Sequence, residues 1–269
     1  MLERLWQAIE SGKQVMRLSQ NIQRVNRSRD AQSLRKACKR EGCPVCSVVL
    51  EEMERAMETW NYEGFSDVET RHALIRSRGF CPLHTWQLAA RHNTFQLALV
   101  YQEVLTDMLS NLEREIDLVQ DATSDTEAET KPARQPWWRR WFGLRGQMAE
   151  GRQLYGRCPF CRTRAKVEQR IVETLAERLS DQEMQTQLGQ STGLCRLHLA
   201  QVAHTAQRHS AASLRALIAC QRVCLERAAD ELREQLRKHD YRFGQEPRGE
   251  EMTAWRRGAE LTAGNPGVH

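Results

Sequence analysis

The chain has 269 residues, 40% of them hydrophobic and only 6% aromatic, and carries a formal charge of +5 from 34 arginines and 6 lysines against 35 acidic side chains. Those proportions describe a mostly helical protein with a modest core, and they permit an acidic partner without demanding one. No apolar run approaches the ~20 residues of a membrane span, and Met1 to Glu10 is interrupted too often by polar residues to read as a secretory signal, so a cytoplasmic protein is expected.

Residues 1–35 read as a basic amphipathic extension. The first 42 residues hold ten basic and four acidic side chains, with Leu2, Leu5, Trp6 and Ile9, then Val15, Leu18, Ile22 and Val25, at helical spacing. A helix that docks on a partner or self-associates fits this pattern. Nucleic-acid binding through the arginine-rich surface fits less well, because no DNA- or RNA-reading motif accompanies the charge.

Residues 36–118 are predicted as a first metal-binding helical repeat. Cys43-Pro44-Val45-Cys46 forms a knuckle whose amides can reach the thiolates, and a helix follows with Val49, Leu50, Met53, Met57 and Trp60 on one face. The tetrad Ser66-Asp67-Val68-Glu69 has the form of a capping box, in which Ser66 would cap a short helix and Glu69 would reach back to it. That helix should end at Gly79, a left-handed turn that presents Cys81 and His84 at the start of the next helix. Three apart, the two side chains share one helix face, so one ion can reach both. Beyond them, Leu97, Tyr101, Val104, Met108 and Leu112 recur at steps of three and four as a core stripe.

Residues 119–153 form a linker that opens acidic and ends basic, with Pro132 and Pro136 between or beside the blocks, a composition unable to bury enough to order itself. Its Pro136-to-Arg145 stretch places Trp137, Trp138, Trp141 and Phe142 beside three arginines. Such a patch suits a membrane interface, single-stranded nucleic acid, or a groove on the protein itself, and nothing in the sequence selects among them.

Residues 154–240 then repeat the first pattern: Cys158-Pro159-Phe160-Cys161, a helix with Val167, Ile171, Leu175 and Leu179, the tetrad Ser180-Asp181-Gln182-Glu183, Gly193, and Cys195 with His198. At an offset of 114, residues 66–90 share 11 of 25 identities with their counterparts, so the two cysteine–histidine turns should be built alike. A last long helix carries Leu214, Leu217, Cys220, Cys224 and Ala228, and residues 241–269 form a tail with a short docking helix. The fold class is therefore all-α, with two pseudo-repeated helical units, each pinned by a Cys3His metal site.

Three thiolates and one imidazole, delivered as two tight pairs, are what a closed tetrahedral zinc site requires. The expected ligands are Cys43, Cys46, Cys81 and His84 in one half and Cys158, Cys161, Cys195 and His198 in the other, for two zinc ions per chain. An iron-sulfur cluster is the alternative, kept open by Cys38 as an extra ligand, although clusters usually take four cysteines. Cys220 and Cys224, four apart on a helix, could form a redox pair but replace core residue types and read as buried packing. His204 and His209 are spaced five apart, point about 140° from each other at 3.6 residues per turn, and read as solvated or capping residues.

With the paired turns, the segment Lys238-His239-Asp240-Tyr241-Arg242-Phe243 and the later Glu250 to Arg257 and Gly264, the chain resembles an uncharacterised bacterial domain-of-unknown-function family across roughly residues 36–269. The resemblance implies a helical fold with the eight metal ligands named above, and it brings no activity or substrate. No nucleophile–base pair or phosphate-cradling loop stands out. The expectation is a metal-stabilised helical scaffold or adaptor that binds another macromolecule, a protein first of all, and has no catalysis of its own, with an iron-sulfur or thiol redox protein and a nucleic-acid-binding protein as alternatives.

Overall fold

The computed structural model describes residues 25–91, 94–124, 158–243 and 245–268. The expected features at 1–24, including the first apolar stripe, and at 125–157, including Trp137, Trp138, Trp141 and Phe142, lie outside these residues. Among the described residues every regular element is a helix, with no strand. Helix α1 covers 25–37, α2 Pro44–Thr59, α3 Val68–Ser77, α4 Pro82–Ala89 and α5 Thr94–Ser124; α6 is Pro159–Arg178, α7 Gln182–Gln190, α8 Arg196–His209, α9 Ala211–Lys238 and α10 Ala254–Ala263. A π-helical turn, Trp60–Gly64, continues α2, and two 3-10 turns, Tyr241–Phe243 and Glu250–Thr253, lead into α10. Among the described residues no helix is long and apolar enough to cross a membrane.

The chain folds as two compact units that do not follow the order of the sequence: Met1–Glu52 joins Val167–His269 in the first, and Met53–Lys166 forms the second. The boundaries fall inside α2 and α6, so each of these helices begins in one unit and ends in the other.

In the first unit the stripe of α6 expected from periodicity is the core: Ile171, Leu175 and Leu179 are fully buried, with Met184 and Leu188 of α7, Leu194, Val202 of α8 and Leu217 of α9. Helix α1 adds Ala31, Leu34 and Ala37 to that core. Ion pairs fix it: Arg27 with Glu177 at 3.0 Å, Arg35 with Asp181 at 2.9 Å and with Glu183 at 3.1 Å, and Asp30 with Arg170 at 2.5 Å. Asp30 is 4% exposed, and burial raises its carboxyl above the usual range while Arg170 pulls the other way. The described part of the extension packs on its own chain through Ala31, Leu34 and Ala37, while Val25, the one described member of the expected apolar stripes, is 54% exposed.

In the second unit Met53 and Met57 of α2, Trp60, Leu74 of α3, Leu88 of α4, and Val100 and Val104 of α5 form the core. Leu97, Tyr101, Met108 and Leu112 border it in half-buried positions. Trp60, Phe80 and Phe160 close one side, with Trp60 edge-on to Phe80 at 5.2 Å and Phe80 stacked on Phe160 at 5.3 Å.

Both tetrads start helices, but the caps are the aspartates and not the serines. Asp67 accepts from the Thr70 amide at 2.7 Å, and Asp181 accepts from the Glu183 amide at 3.1 Å. Ser66 and Ser180 instead donate back to the carbonyls of Glu63 and Glu177. Serine and aspartate cap about equally well, so the helix starts one residue later than expected, where the aspartate also gains from the positive end of the helix.

Candidate metal centres

The eight cysteine and histidine residues gather into two quartets, and the partition differs from the one expected. Cys43 and Cys46 meet Cys195 and His198, while Cys81 and His84 meet Cys158 and Cys161. Each quartet thus takes its knuckle from one half of the sequence and its cysteine–histidine turn from the other. The physical reason is that both partitions offer three sulfurs and one nitrogen, so ligand chemistry cannot choose. The choice falls to the cores: the first knuckle lies in the unit that contains α8, and the second in the unit that contains α4.

All ligand atoms of a quartet lie within 4.8 Å of one another. In the first centre His198 Nδ1 is 3.5 Å from Cys43 Sγ, 3.3 Å from Cys46 Sγ and 3.3 Å from Cys195 Sγ, and the sulfurs of Cys46 and Cys195 are 3.8 Å apart. In the second, His84 Nδ1 is 3.0 Å from Cys81 Sγ, 3.6 Å from Cys158 Sγ and 3.4 Å from Cys161 Sγ, and the sulfurs of Cys81 and Cys161 are 3.5 Å apart. Ligands about 2.3 Å (sulfur) and 2.0–2.1 Å (nitrogen) from one tetrahedral ion stand about 3.8 Å apart sulfur to sulfur and about 3.6 Å sulfur to nitrogen. The donor set therefore fits a single metal ion at each centre.

The two turns that deliver the histidines share their backbone. Cys81 and Cys195 are the N-cap residues of α4 and α8, with φ, ψ of −68°, 162° and −67°, 160°. Gly79 and Gly193 precede them at φ of 94° and 98°, a region that only glycine occupies without strain. Around Gly193 the turn is tightly held: Gln221 of α9 accepts from the Leu194 amide and donates to its carbonyl, each at 2.9 Å. A Cβ on Gly193 would lie 2.8 Å from Cys224 Cβ, whereas one on Gly79 meets only the edge of the Tyr101 ring at 3.0 Å. Gly193→Ala is therefore expected to lower the stability of the chain by about 2–5 kcal/mol, from strain and overpacking together. Gly79→Ala should cost less, because the Tyr101 ring can turn aside; urea unfolding of the two variants checks the order.

Sequence reasoning missed two groups that support the first centre. Asn265, beyond α10, accepts from the Cys43 amide at 2.9 Å, and its amide nitrogen lies 3.2 Å from Ser47 Oγ, so the tail braces the first knuckle from 222 residues away. Glu168 of α6 places Oε1 3.3 Å from His198 Nε2 and accepts from Gln201 at 2.8 Å. A carboxylate on the far nitrogen fixes the imidazole so that Nδ1 faces the sulfurs. Neither residue has a signature in sequence, since a lone Asn or Glu is ordinary on a polar chain.

The electrostatics of the centres differ. Hydrogen bonds from Cys43 and Cys46 hold the Cys195 thiol well below the usual range. Burial pulls the His198 imidazole down, but its hydrogen bonds with Cys195, Cys46 and Glu168 outweigh this and raise it. At the second centre, burial and the nearby Arg164 guanidinium lower His84 to about 4, and the Phe160 ring lies 5.6 Å from the imidazole.

The other cysteines stand apart from both quartets. Cys220 points its thiol at the Gln185 carbonyl, 3.3 Å away, and Cys224 at those of Leu188 and Ser191, each 3.4 Å away. Both are buried, and burial raises both thiols, as expected of core packing. Cys38 is buried as well, its thiol pushed up to about 12 first by burial and then by the neighbouring Cys224, and it joins neither quartet. His72, His204 and His209 are exposed.

No match is found among curated proteins, and none among solved structures. A family model does match, over residues 33–267, a span that holds all eight quartet residues together with Glu168 and Asn265. The chain belongs to the family of unknown function DUF6062.

Proposed function

We propose that this protein is a zinc-stabilised helical scaffold, holding two structural zinc ions and presenting its helices to another protein. The observation that carries this reading is the spacing within the quartets, with sulfur–sulfur distances of 3.5 and 3.8 Å and sulfur–nitrogen distances of 3.0–3.6 Å. A polynuclear iron-sulfur cluster attaches its ligands to different irons, which would stand the donors farther apart than the edge of a tetrahedron about one ion. Three cysteines and a histidine also fill every place around a zinc ion, leaving none for an activated water. The nine free cysteines accord with a reducing, cytoplasmic setting.

The scaffold role is supported by exposed aromatic and aliphatic side chains on ordered helices. In the first unit Leu236, Tyr241 and Trp255 are 71%, 90% and 62% exposed where α9 gives way to the tail. In the second, Trp86 of α4 and Phe95 of α5 are exposed as well. Large aromatic groups of this kind anchor protein interfaces.

Elemental analysis of the purified chain tests the metal reading: two zinc per chain and no visible absorption are expected. Iron with strong visible colour would replace it with the cluster reading. Affinity capture from the native cell, repeated with Trp255→Ala and Tyr241→Ala, tests the scaffold role; a partner whose recovery survives both substitutions does not use this surface.

A further inference from the structure

The two centres are not equally protected, and the difference assigns a reactive position to one of them. In the first, Cys43, Cys46, Cys195 and His198 are each 0–1% exposed. Glu168 secures the imidazole from behind, and Asn265 secures the knuckle. In the second, Cys81 is 8% exposed and Cys161 is only partly covered. Among the described residues no carboxylate pairs with His84, whose surroundings are the Phe160 ring and the cationic Arg164. All nine cysteines are described, and Cys161 is the only one that is not buried. Cys38, Cys220 and Cys224, which are not ligands, are shut in the core, and the latter two lie against backbone carbonyls.

A zinc-bound sulfur remains a thiolate, so exposure rather than acidity decides which one a soft reagent reaches. Cys161 also has a second sulfur at hand, since Cys81 Sγ is 3.5 Å away. An accessible thiolate beside a resolving thiolate is the arrangement that peroxides oxidise reversibly.

We propose that Cys161 is a peroxide-reactive site, and that its oxidation releases the ion of the second centre while the first centre keeps its own. The proposal rests on the zinc reading above. The Cys161 thiolate attacks one oxygen of hydrogen peroxide; a sulfur–oxygen bond forms, the oxygen–oxygen bond breaks, and the departing hydroxide takes a proton as water. The Cys81 thiolate then attacks the sulfenic sulfur, forming a disulfide and expelling a second hydroxide, which also leaves as water. Two thiolates lose two electrons in all, one peroxide becomes two waters, and two of the four ligands are lost to the ion.

The test uses the full chain carrying two zinc ions, confirmed by elemental analysis, mixed with hydrogen peroxide in slight excess over what both centres would consume, in the presence of a chromophoric zinc chelator. One ion per chain should appear at least ~10-fold faster than the other, consistent with the 10–100-fold weight of supporting contacts around metal ligands. Peptide mapping should find the new disulfide between Cys161 and Cys81. Reduction with dithiothreitol and added zinc should restore the second ion. Glu168→Gln should speed release of the slow ion and leave the fast one unchanged, a readout that needs no substitution of a quartet residue. Two ions leaving at one rate, or a first-oxidised pair drawn from Cys43, Cys46 and Cys195, overturns the proposal with the zinc reading intact. A chain that neither carries nor takes up zinc overturns both.

Discussion

Treating the zinc-loaded chain with excess chelator is expected to lower its melting temperature by at least ~20 °C and to remove a large part of its helical signal. Each closed zinc site supplies on the order of 10 kcal/mol of apparent folding free energy in small peptides, against a total of about 5–15 kcal/mol for a whole domain. For a protein of this length 1 kcal/mol moves the melting temperature by about 2–4 °C, which sets the size of the shift. Acid acts in the same direction at the second centre. The His84 imidazole must be neutral to offer Nδ1, and burial with Arg164 lowers it to about 4 in the fold against 6.5 when free. Between those values the unfolded chain binds the extra proton and the folded chain does not. In the metal-free chain the stability contributed by His84 is therefore complete above about pH 6.5 and is lost as the pH falls from there to about 4. Circular dichroism melts at pH 7.5 with and without chelator, followed by melts at stepped lower pH, check both statements; a melt indifferent to chelator would remove the ions from any structural role.

The helices and the eight cysteine and histidine residues that gather into quartets were legible in sequence because both patterns are local. Ile171, Leu175 and Leu179 recur at steps of four and form the core face of α6 as the period requires. Each Cys–His pair is confined to one turn of helix, so its geometry is fixed by spacing and by the glycine before it. The partition of the ligands was not legible, because it is decided by which helices share a core, and identical donor sets leave no chemical preference between the two arrangements. Asp67 and Asp181 displaced the serines as caps for a related reason: both residue types can accept the amide, and a one-residue shift of the helix start selects between them. Glu168, Gln221 and Asn265 act across 27 to 222 residues of sequence, and their roles exist only once the fold has brought their partners to them.

Serine substitutions in pairs are expected to expose the crossed partition directly. Cys46 belongs to the first quartet, so on the zinc reading Cys46→Ser should leave one zinc per chain; Cys195→Ser should do the same. The double variant Cys46→Ser with Cys195→Ser damages one centre twice and should still hold one ion, with a stability loss close to that of either single variant. Cys46→Ser with Cys81→Ser strikes both centres and should hold none, its loss in stability approaching the sum of the two single losses. The contrast follows from the geometry: Cys46 and Cys195 sulfurs are 3.8 Å apart in one quartet, and Cys81 stands with His84, Cys158 and Cys161 in the other. Residues that serve one ion act as a unit and are strongly non-additive, whereas residues at separate sites add. Had each half of the sequence closed its own quartet, the outcomes would be exchanged: Cys46 with Cys81 would keep one ion and Cys46 with Cys195 none. Zinc stoichiometry of the two double variants separates the arrangements without any need for crystals, because the difference is one whole ion per chain.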